Sequence, residues 1–444
     1  MMDMIIAMAG AAGGAVAGSL LGWVPALHVY NVLGFAALSL HAAGASSAFL
    51  PAVWLLPATL GLIVGWSMAN TIPSIFLAAP DESALLMVLP GQKYALAGRG
   101  YEAAMLTAAG SLGALVLLVA IAGPLAPLAL PVLRAVLQPH QGWILWTVIV
   151  FLLMSEWPRF GTRGQGGWRK FLSGWSSTGA GLLTFLLSGL LGFILRYRSP
   201  LPVESAFQNL LPAFAGLFAV PWLLLNLVSG AGLPEQELPD RVRIPRRPAF
   251  RGVGAGMLGG AFAAFFPGIT GGIGGLLAGH ATAQRDERTF LISQGASKMV
   301  YYAGALLLFA VPGESLARGT GAWLLRGFLS PRTSYEYYMA LGSLALAGAV
   351  AFLLFPALCR LTILALRKIG LSSLSAFSLV LIVALVEAAT GWRGQVVLLA
   401  AAGIGLIPVL FHSRRINALG VILLPMACGM SGIGIRIAEL LGLR

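Results

Sequence analysis

Charged residues are scarce in this chain, and their scarcity excludes a water-soluble globular fold. Only 10% of the 444 residues are charged, whereas 58% are hydrophobic. Typical soluble domains carry about 25% charged residues. A soluble fold of this length has no means of hiding so much apolar surface, because much of any folded chain stays near solvent. The composition therefore predicts an integral membrane protein.

Cysteine is nearly absent, and the common motifs of enzymes and metal centres are missing. Cys359 and Cys428 have no CxxC or Cys/His pattern around them, so they indicate neither a disulfide framework nor a metal site. The sequence contains no HExxH, GxSxG or Walker A motif. Residues 429–432 imitate the Gly-x-Ser-Gly of rhomboid proteases, but no histidine follows them. We interpret them as a packing seam and predict no enzymatic activity.

Positive charge exceeds negative charge, but its distribution does not indicate a nucleic-acid partner. The formal net charge is +13, and the basic residues occur in short clusters between apolar runs. The first 92 residues contain no Lys or Arg. Basic loops lie on the cytoplasmic side of membrane proteins. The pattern predicts a multi-pass protein of the cytoplasmic (inner) membrane, with cytoplasmic loops at 159–170 and 241–251.

Long apolar runs predict an all-α polytopic fold. A helix needs about 20 apolar residues to cross the hydrocarbon core, and these runs lack the period-two alternation of barrel strands. About ten full spans are predicted, at 47–79, 103–123, 141–157, 173–195, 205–229, 291–312, 334–356, 369–389, 394–411 and 416–438. Pro25 and Pro267 interrupt two further segments, 8–43 and 250–280. Because each half is too short for a comfortable crossing, both segments are predicted to be re-entrant hairpins.

The two hairpins share a sequence pattern at one constant offset. Its members in the first and second hairpin are Gly10, Gly14, Gly18 and Pro25, and Gly252, Gly256, Gly260 and Pro267. A second echo relates 78–83 to 310–315. We predict two inverted repeats, 1–232 and 250–444, each a hairpin followed by five spans, joined by a cytoplasmic linker at 233–249. Close helix packing is the alternative explanation of the glycines.

Polar residues beside the two helix breaks are candidates for binding an anionic substrate. A break at membrane depth frees backbone groups, and the N-terminus of a half-helix attracts anions. The predicted residues are Pro25, His28, Asn31, Asn70, Thr71, Ser74, Pro267, Gly268, Thr270, Gly271, Gln294, Ser297 and Lys298. The alternatives are breaks and kinks whose polar groups satisfy one another, and a Lys298 that snorkels to the membrane surface.

Three acidic residues are candidates for coupling transport to Na⁺ or H⁺. Asp81 and Glu82 are adjacent, and adjacent carboxylates resist double ionisation. A solvated loop pair near the cytoplasmic end is the alternative. Glu387 lies inside the apolar run 369–389, where acids are functional candidates by default; an ion pair with Arg393 is the alternative. No cofactor other than the coupling ion is expected.

Motifs along most of the chain resemble those of one transporter family. They include Gly-x-x-x-Gly-x-x-Pro-Ala-Leu-His-x-x-Asn at 18–31, Ile-Pro-Ser-Ile-Phe-Leu-Ala-Ala-Pro-Asp-Glu at 72–82 and Phe-Pro-Gly-Ile-Thr at 266–270. The C-terminal stretches 405–410 and 419–425 belong to the same set. These motifs resemble the permeases of the tripartite tricarboxylate transporter family, the TctA-type membrane subunits, and especially their stand-alone archaeal-type branch.

The resemblance implies a secondary transporter of a small organic anion, such as a carboxylate. Its inverted repeats would alternate access to a site where they meet. The expected partners are membrane lipids and the anionic substrate, and a homodimer is compatible with the sequence. The tripartite systems also imply a small membrane subunit and an extracytoplasmic binding protein; the alternative, implied by the stand-alone branch, is that neither is needed. The alternative function keeps the fold but translocates an anionic lipid carrier such as polyprenyl phosphate.

Overall fold

The structure is a computed structural model, and all regular elements in its described residues are helices. It describes residues 1–42, 52–158, 166–202, 208–230, 232–329, 331 and 333–444. The predicted all-α class is confirmed within these ranges. Helices are the expected result for apolar segments, because in lipid the backbone must satisfy its hydrogen bonds within each segment.

The helices follow one another in a simple order. The first nine are α1 (Met2–Gly22), α2 (Val29–Ala42), α3 (Ala52–Ala69), α4 (Thr71–Phe76), α5 (Val88–Leu96), α6 (Gly100–Leu117), α7 (Gly123–Leu137), α8 (Gln141–Met154) and α9 (Gly167–Tyr197). They are followed by α10 (Leu210–Phe214), α11 (Val220–Ser229), α12 (Arg246–Phe265), α13 (Gly271–Ala281), α14 (Glu287–Ala310), α15 (Gly319–Leu325), α16 (Ser334–Leu410), α17 (Gly420–Met430) and α18 (Gly434–Leu440).

The chain divides into two compact units. The first unit contains Met1–Gln138 and Ser229–Ser378, and the second contains Pro139–Val228 and Leu379–Arg444. Each unit thus combines parts of both predicted repeats: the early parts form the first unit and the late parts form the second. The inverted orientation of the repeats stays a prediction.

Six stretches of the described residues are long and apolar enough to cross a membrane. They are Met2–Gly22, Val53–Phe76, Gly100–Met154, Gly167–Tyr197, Leu210–Ser229 and Ser334–Leu410. A pair bent by 115°, Arg415–Met430 with Gly434–Leu440, brings the number to seven. A multi-pass protein is confirmed, whereas a count of about ten spans is not. The first residues of the predicted spans at 47–79 and 205–229 lie outside the described residues.

Two of these stretches are much longer than one crossing requires. Gly100–Met154 has 55 residues and Ser334–Leu410 has 77, against about 20 for a single span. Within the longer stretch, Gly370 and Gly391 have positive φ angles, which interrupt regular helix geometry. Both glycines lie next to predicted span boundaries, at 369 and between 389 and 394.

Both predicted helix breaks are present. Pro25 lies between α1 and α2, and Pro267 lies between α12 and α13. The expectation that every half is too short to cross is wrong for α1, whose 21 residues form a candidate span, whereas α12, with 20 residues, is not among the candidate spans of the described residues. These helices begin at Met2 and Arg246 rather than near 8 and 250, because the sequence before each glycine pattern also favours helix. The re-entrant course of the hairpins stays a prediction.

Glycines bring α1 into backbone contact with α3. A Cβ atom on Gly14 would overlap the carbonyl oxygen of Ala58, and one on Gly18 would overlap that of Leu62. Small residues allow helices in membranes to approach closely and gain packing energy there. The seam explains why glycine recurs at every fourth position of α1.

The same contact recurs between α12 and α14. A Cβ atom on Gly256 would come within 2.5 Å of the Ser293 carbonyl oxygen, and one on Gly260 would come equally close to that of Ser297. In the sequence, Gly256 and Gly260 follow Gly14 and Gly18 of α1 by the same number of residues. Ser293 and Ser297 likewise follow Ala58 and Leu62 of α3 by one constant number of residues. The duplicated sequence pattern therefore coincides with a duplicated packing contact.

Replacing Gly14 with alanine is expected to lower the free energy of unfolding by about 1–3 kcal/mol, the usual cost of overpacking. The reason is that the new methyl group meets backbone of α3, which has no side chain to move aside. Gly13→Ala is the matched control, since no heavy atom lies within 4 Å of its Cβ position. Thermal unfolding in detergent measures the difference, and equal melting temperatures would contradict the seam.

The predicted linker at 233–249 is part of the first unit and packs within it. Gln236 accepts a hydrogen bond from the Gly100 backbone N–H at 3.0 Å and donates one to the Ala95 carbonyl oxygen at 2.8 Å. The last residues of the predicted linker are helical, because α12 begins at Arg246. The segment is therefore held in place by hydrogen bonds within the first unit, and its cytoplasmic side stays a prediction.

Candidate functional site

Two acids and a lysine lie buried together in the first unit. The exposed fractions of Asp81, Glu82 and Lys298 are 7%, 3% and 0%. Lys298 Nζ lies 3.7 Å from Asp81 Oδ2 and donates a hydrogen bond to Asn70 Oδ1 at 2.7 Å. The interpretation of the acids as a solvated loop pair is therefore wrong. So is the snorkelling lysine, because its charge is paired inside the protein.

A tight turn after α4 orients Asp81. Ala78 has a φ angle of 54°, an uncommon conformation for a residue with a side chain, and Pro80 precedes the acid. Asp81 Oδ1 then accepts hydrogen bonds from the backbone N–H groups of Ser83, at 3.1 Å, and Ala84. Aspartate commonly caps its own turn in this way. Its other oxygen, Oδ2, remains directed at Lys298.

The break after α1 presents His28 to Glu82. The Tyr30 backbone N–H donates to His28 Nδ1 at 3.1 Å, so this nitrogen accepts and carries no proton. The neutral imidazole therefore carries its proton on Nε2, which lies 3.2 Å from Glu82 Oε1. His28 acts as a hydrogen-bond donor to this carboxylate and is not free to receive an anionic substrate.

Tyr302 of α14 connects these groups. Its hydroxyl lies 2.8 Å from Glu82 Oε1, 3.3 Å from Asp81 Oδ2, 3.0 Å from His28 Nε2 and 3.1 Å from Ser83 Oγ. A phenol has one proton to donate, so only one carboxylate receives it at a time. The hydroxyl therefore links the two acids in a single hydrogen-bonded network.

Trp66 packs against the network, and the sequence analysis did not identify it. Its ring lies 5.3 Å from Lys298 Nζ, within the range of a cation–π contact, and 4.6 Å from the His28 ring. Its Nε1 donates to the Leu27 carbonyl oxygen at 2.7 Å. A tryptophan within an apolar run is indistinguishable from a lipid-facing residue by sequence, so no signal was available.

Residues of the break at Pro267 also contact this network. Thr270 caps the N-terminus of α13 by accepting from the Ile273 backbone N–H, and its hydroxyl donates to the Glu82 backbone oxygen at 3.3 Å. Ser297 Oγ donates to the Gly271 carbonyl oxygen at 2.7 Å. Residues from both proline breaks, the turn after α4 and α14 therefore meet in one place.

The cluster defined by His28, Asn70, Asp81, Glu82, Lys298 and Tyr302, here called the carboxylate cluster, carries a formal charge of −1. This is the formal count of two carboxylates against one ammonium group. Glu82 Oε2 is buried and has no hydrogen-bond partner among the described residues. Buried charges are costly unless they are paired. The arrangement therefore suits a bound cation.

The donor set also indicates the kind of cation. The candidate ligand atoms of His28, Asp81 and Glu82 lie within 4.8 Å of one another. However, the protonated Nε2 of His28 has no lone pair to offer a metal, which leaves carboxylate oxygens. Oxygen ligands suit hard cations and protons rather than soft transition metals.

Other predicted residues have local roles. Thr71 Oγ1 donates to the Met68 carbonyl oxygen at 2.8 Å, and Ser74 Oγ donates to that of Asn70 at 2.9 Å. These bonds fit the kink-capping alternative. Of the remaining predicted residues, Pro25, Pro267 and Gly268 lie at the helix breaks. Asn31 and Gln294 are buried.

Glu387 lies outside the unit that contains the carboxylate cluster. It belongs to the second unit, on α16, and its side chain is exposed. The alternative pairing with Arg393 is not formed, since the described contact of that guanidinium is to the Pro200 carbonyl oxygen at 3.4 Å. A coupling role for Glu387 stays a prediction.

Buried charges beside helix breaks in an apolar, multi-pass fold are typical of membrane transporters. The sequence profile of the tripartite tricarboxylate transporter TctA family matches residues 8–420, and the chain belongs to this family. The family consists of membrane transporters rather than enzymes. The predicted resemblance and the predicted transporter class are both confirmed.

A protein of similar length extends the match. The chain is 27% identical over 424 residues to uncharacterized protein MJ1079 of Methanocaldococcus jannaschii, covering 93% of this chain and 96% of the archaeal protein. No solved structure matches this chain. Permeases of the TctA family typically work in a tripartite system with a binding protein and a small subunit.

Proposed function

We propose that this chain is the permease of a secondary transporter that moves a small organic carboxylate across the cytoplasmic membrane together with Na⁺ or H⁺. Membership of the TctA family supports the permease role. The observation that carries the cation is Glu82 Oε2, a buried carboxylate oxygen with no hydrogen-bond partner in the described part of the chain. In this proposal the cation binds at that oxygen.

Charge balance supplies a physical reason for coupling. An anion attracted by Lys298 and the N-terminus of α13 also meets the uncompensated charge of Glu82. Two unit charges about 4 Å apart interact by about 4 kcal/mol at an effective dielectric constant of about 20, which is roughly a thousandfold in affinity. A cation on Glu82 removes this repulsion. Each ion then increases the affinity for the other, as thermodynamic linkage requires.

The proposal extends to the transport cycle and its partners. The two repeats alternate access to the bound ions from the two sides of the membrane, as in other transporters built from inverted repeats. An extracytoplasmic binding protein delivers the anion, and a small membrane subunit completes the complex. Family membership supports these partners in general terms.

Uptake by proteoliposomes tests the proposal. Purified protein is reconstituted, and entry of radiolabelled citrate and succinate is followed under an imposed Na⁺ gradient or an imposed pH gradient. We expect uptake of at least one carboxylate to require one of the gradients and to stop when an ionophore collapses it. Uptake that persists without any gradient would contradict coupling. Translocation of a labelled polyprenyl phosphate, with no carboxylate uptake, would instead establish the lipid-carrier function.

A further inference from the structure

In the second unit, Arg415 carries two buried nitrogens without an acceptor. Its Nη1 and Nη2 are shielded from solvent and form no hydrogen bond with any described residue. A guanidinium has donors only and remains charged. Leaving charged donors unpaired in a buried place costs more than leaving neutral ones unpaired. Within the described ranges, this guanidinium therefore lacks an acceptor of opposite charge.

A tryptophan fixes the plane of this guanidinium. Arg415 Cζ lies 3.4 Å from the centroid of the Trp222 ring, close enough for stacking of the two planes. The ring covers one face of the guanidinium, whereas the N–H groups point outward in its plane. These groups match the two oxygens of a carboxylate or phosphate in bidentate geometry. Trp222 Nε1 is also buried and without a described partner.

Glu156 contacts residues on both sides of Arg415 in the sequence, one through its backbone and one through its side chain. Its Oε2 accepts hydrogen bonds from the Arg414 backbone N–H at 2.7 Å and from Asn417 Nδ2 at 3.2 Å. The carboxylate is thus engaged with its neighbours, and no described acid forms an ion pair with Arg415. A side chain anchored in this way is preorganised, which lowers the entropic cost of binding.

We propose that Arg415, stacked on Trp222, binds an oxyanion: the carboxylate of the transported anion or the phosphate of a membrane lipid headgroup. The first source rests on the proposed function, because it requires an anionic cargo. The second source does not. Arg415 belongs to the second unit and the carboxylate cluster to the first, so substitutions of Arg415 test this assignment without altering the cluster.

The test compares four forms of the purified full-length protein: wild type, Arg415→Lys, Arg415→Gln and Arg436→Gln. Arg436 is an exposed arginine of the same unit and serves as the matched control. Citrate binding is measured by calorimetry, and bound phosphatidylglycerol is measured by native mass spectrometry. We expect both Arg415 variants to bind one of these probes about 10-fold to 100-fold more weakly, the range for a lost charge-assisted hydrogen bond. Lysine keeps the charge but loses the bidentate geometry.

Each outcome decides the assignment. Weaker citrate binding confined to the Arg415 variants supports the transported anion, and loss of phosphatidylglycerol alone supports the lipid headgroup. Unchanged binding of both probes in a folded Arg415→Lys protein overturns the site, and this variant decides the matter if Arg415→Gln does not fold. If cation-driven uptake persists while Arg415 proves irrelevant, only this inference fails. If Arg415 binds the anion but uptake ignores both gradients, only the proposed coupling fails.

Discussion

Glu82→Gln is expected to reduce cation-driven uptake by at least about 100-fold, which corresponds to about 2.7 kcal/mol. Glutamine keeps the size of the side chain and an oxygen that accepts from Tyr302, so the network around it can form. It removes the charge at the position of Oε2, where the cation is proposed to bind. The protein should remain folded, because the substitution neutralises a buried excess charge. Proteoliposome uptake and thermal unfolding are measured on the same preparation.

Glu314→Gln is the matched control for this variant. Glu314 occupies the position of the second sequence echo that corresponds to Glu82, but it is partly exposed and pairs with Arg134 at 3.0 Å. A partly exposed ion pair contributes about 0–1 kcal/mol, so uptake should remain near the wild-type rate. Wild-type coupling in Glu82→Gln would show that the cation binds elsewhere.

Lys298→Met is expected to lower the free energy of unfolding by about 3–5 kcal/mol, the range for breaking a buried ion pair from one side. Methionine fills most of the space along the lysine stem, so the loss is one of charge rather than of packing. Asp81 and Glu82 then face each other without the ammonium group that lies 3.7 Å from Asp81 Oδ2. Thermal unfolding in detergent measures the effect.

A second substitution separates charge from packing. Lys298→Met combined with Asp81→Asn restores the balance of the carboxylate cluster to −1, and it should recover a large part of the lost stability. Lys368→Met, at an exposed lysine of the same unit, should change the melting temperature little. A double variant no more stable than Lys298→Met alone would argue against the charge explanation.

Local chemistry made the helix breaks predictable. Proline lacks a backbone N–H and clashes with the preceding turn. Pro25 and Pro267 therefore favour a helix break whatever their tertiary surroundings. The glycine spacing was informative for a similar reason, because a residue without a Cβ atom at every fourth position forms a continuous strip on one helix face. Both features are properties of a short stretch of chain.

The number of spans and the lengths of the hairpin helices were less predictable. Helices α1 and α12 extend beyond the glycine-rich patterns at their N-terminal ends, because polar and apolar residues are both compatible with helix there. Within Ser334–Leu410 the backbone departs from regular helix at single glycines such as Gly370, and the division of this stretch into several spans stays a prediction. Apolar runs alone do not show where such a turn occurs.

The burial of Asp81 and Glu82 was not predictable from their surroundings in sequence. A proline followed by two acids and a serine is typical of a solvated turn. In the structure this turn is buried inside the first unit. Its partner Lys298 comes from a helix more than two hundred residues later in the chain. The packing of α14 beside α3 and the turn after α4 brings these charges together.

The amino-acid sequence by itself determined that this protein spans a membrane with broken helices and belongs to a transporter family, since composition and local motifs suffice for both. The tertiary structure decided which charges meet, because ion pairing depends on distance in space. It placed an acid pair, a lysine, a histidine and a tyrosine in one buried network. It also left a stacked arginine in the second unit with donors that no described residue accepts.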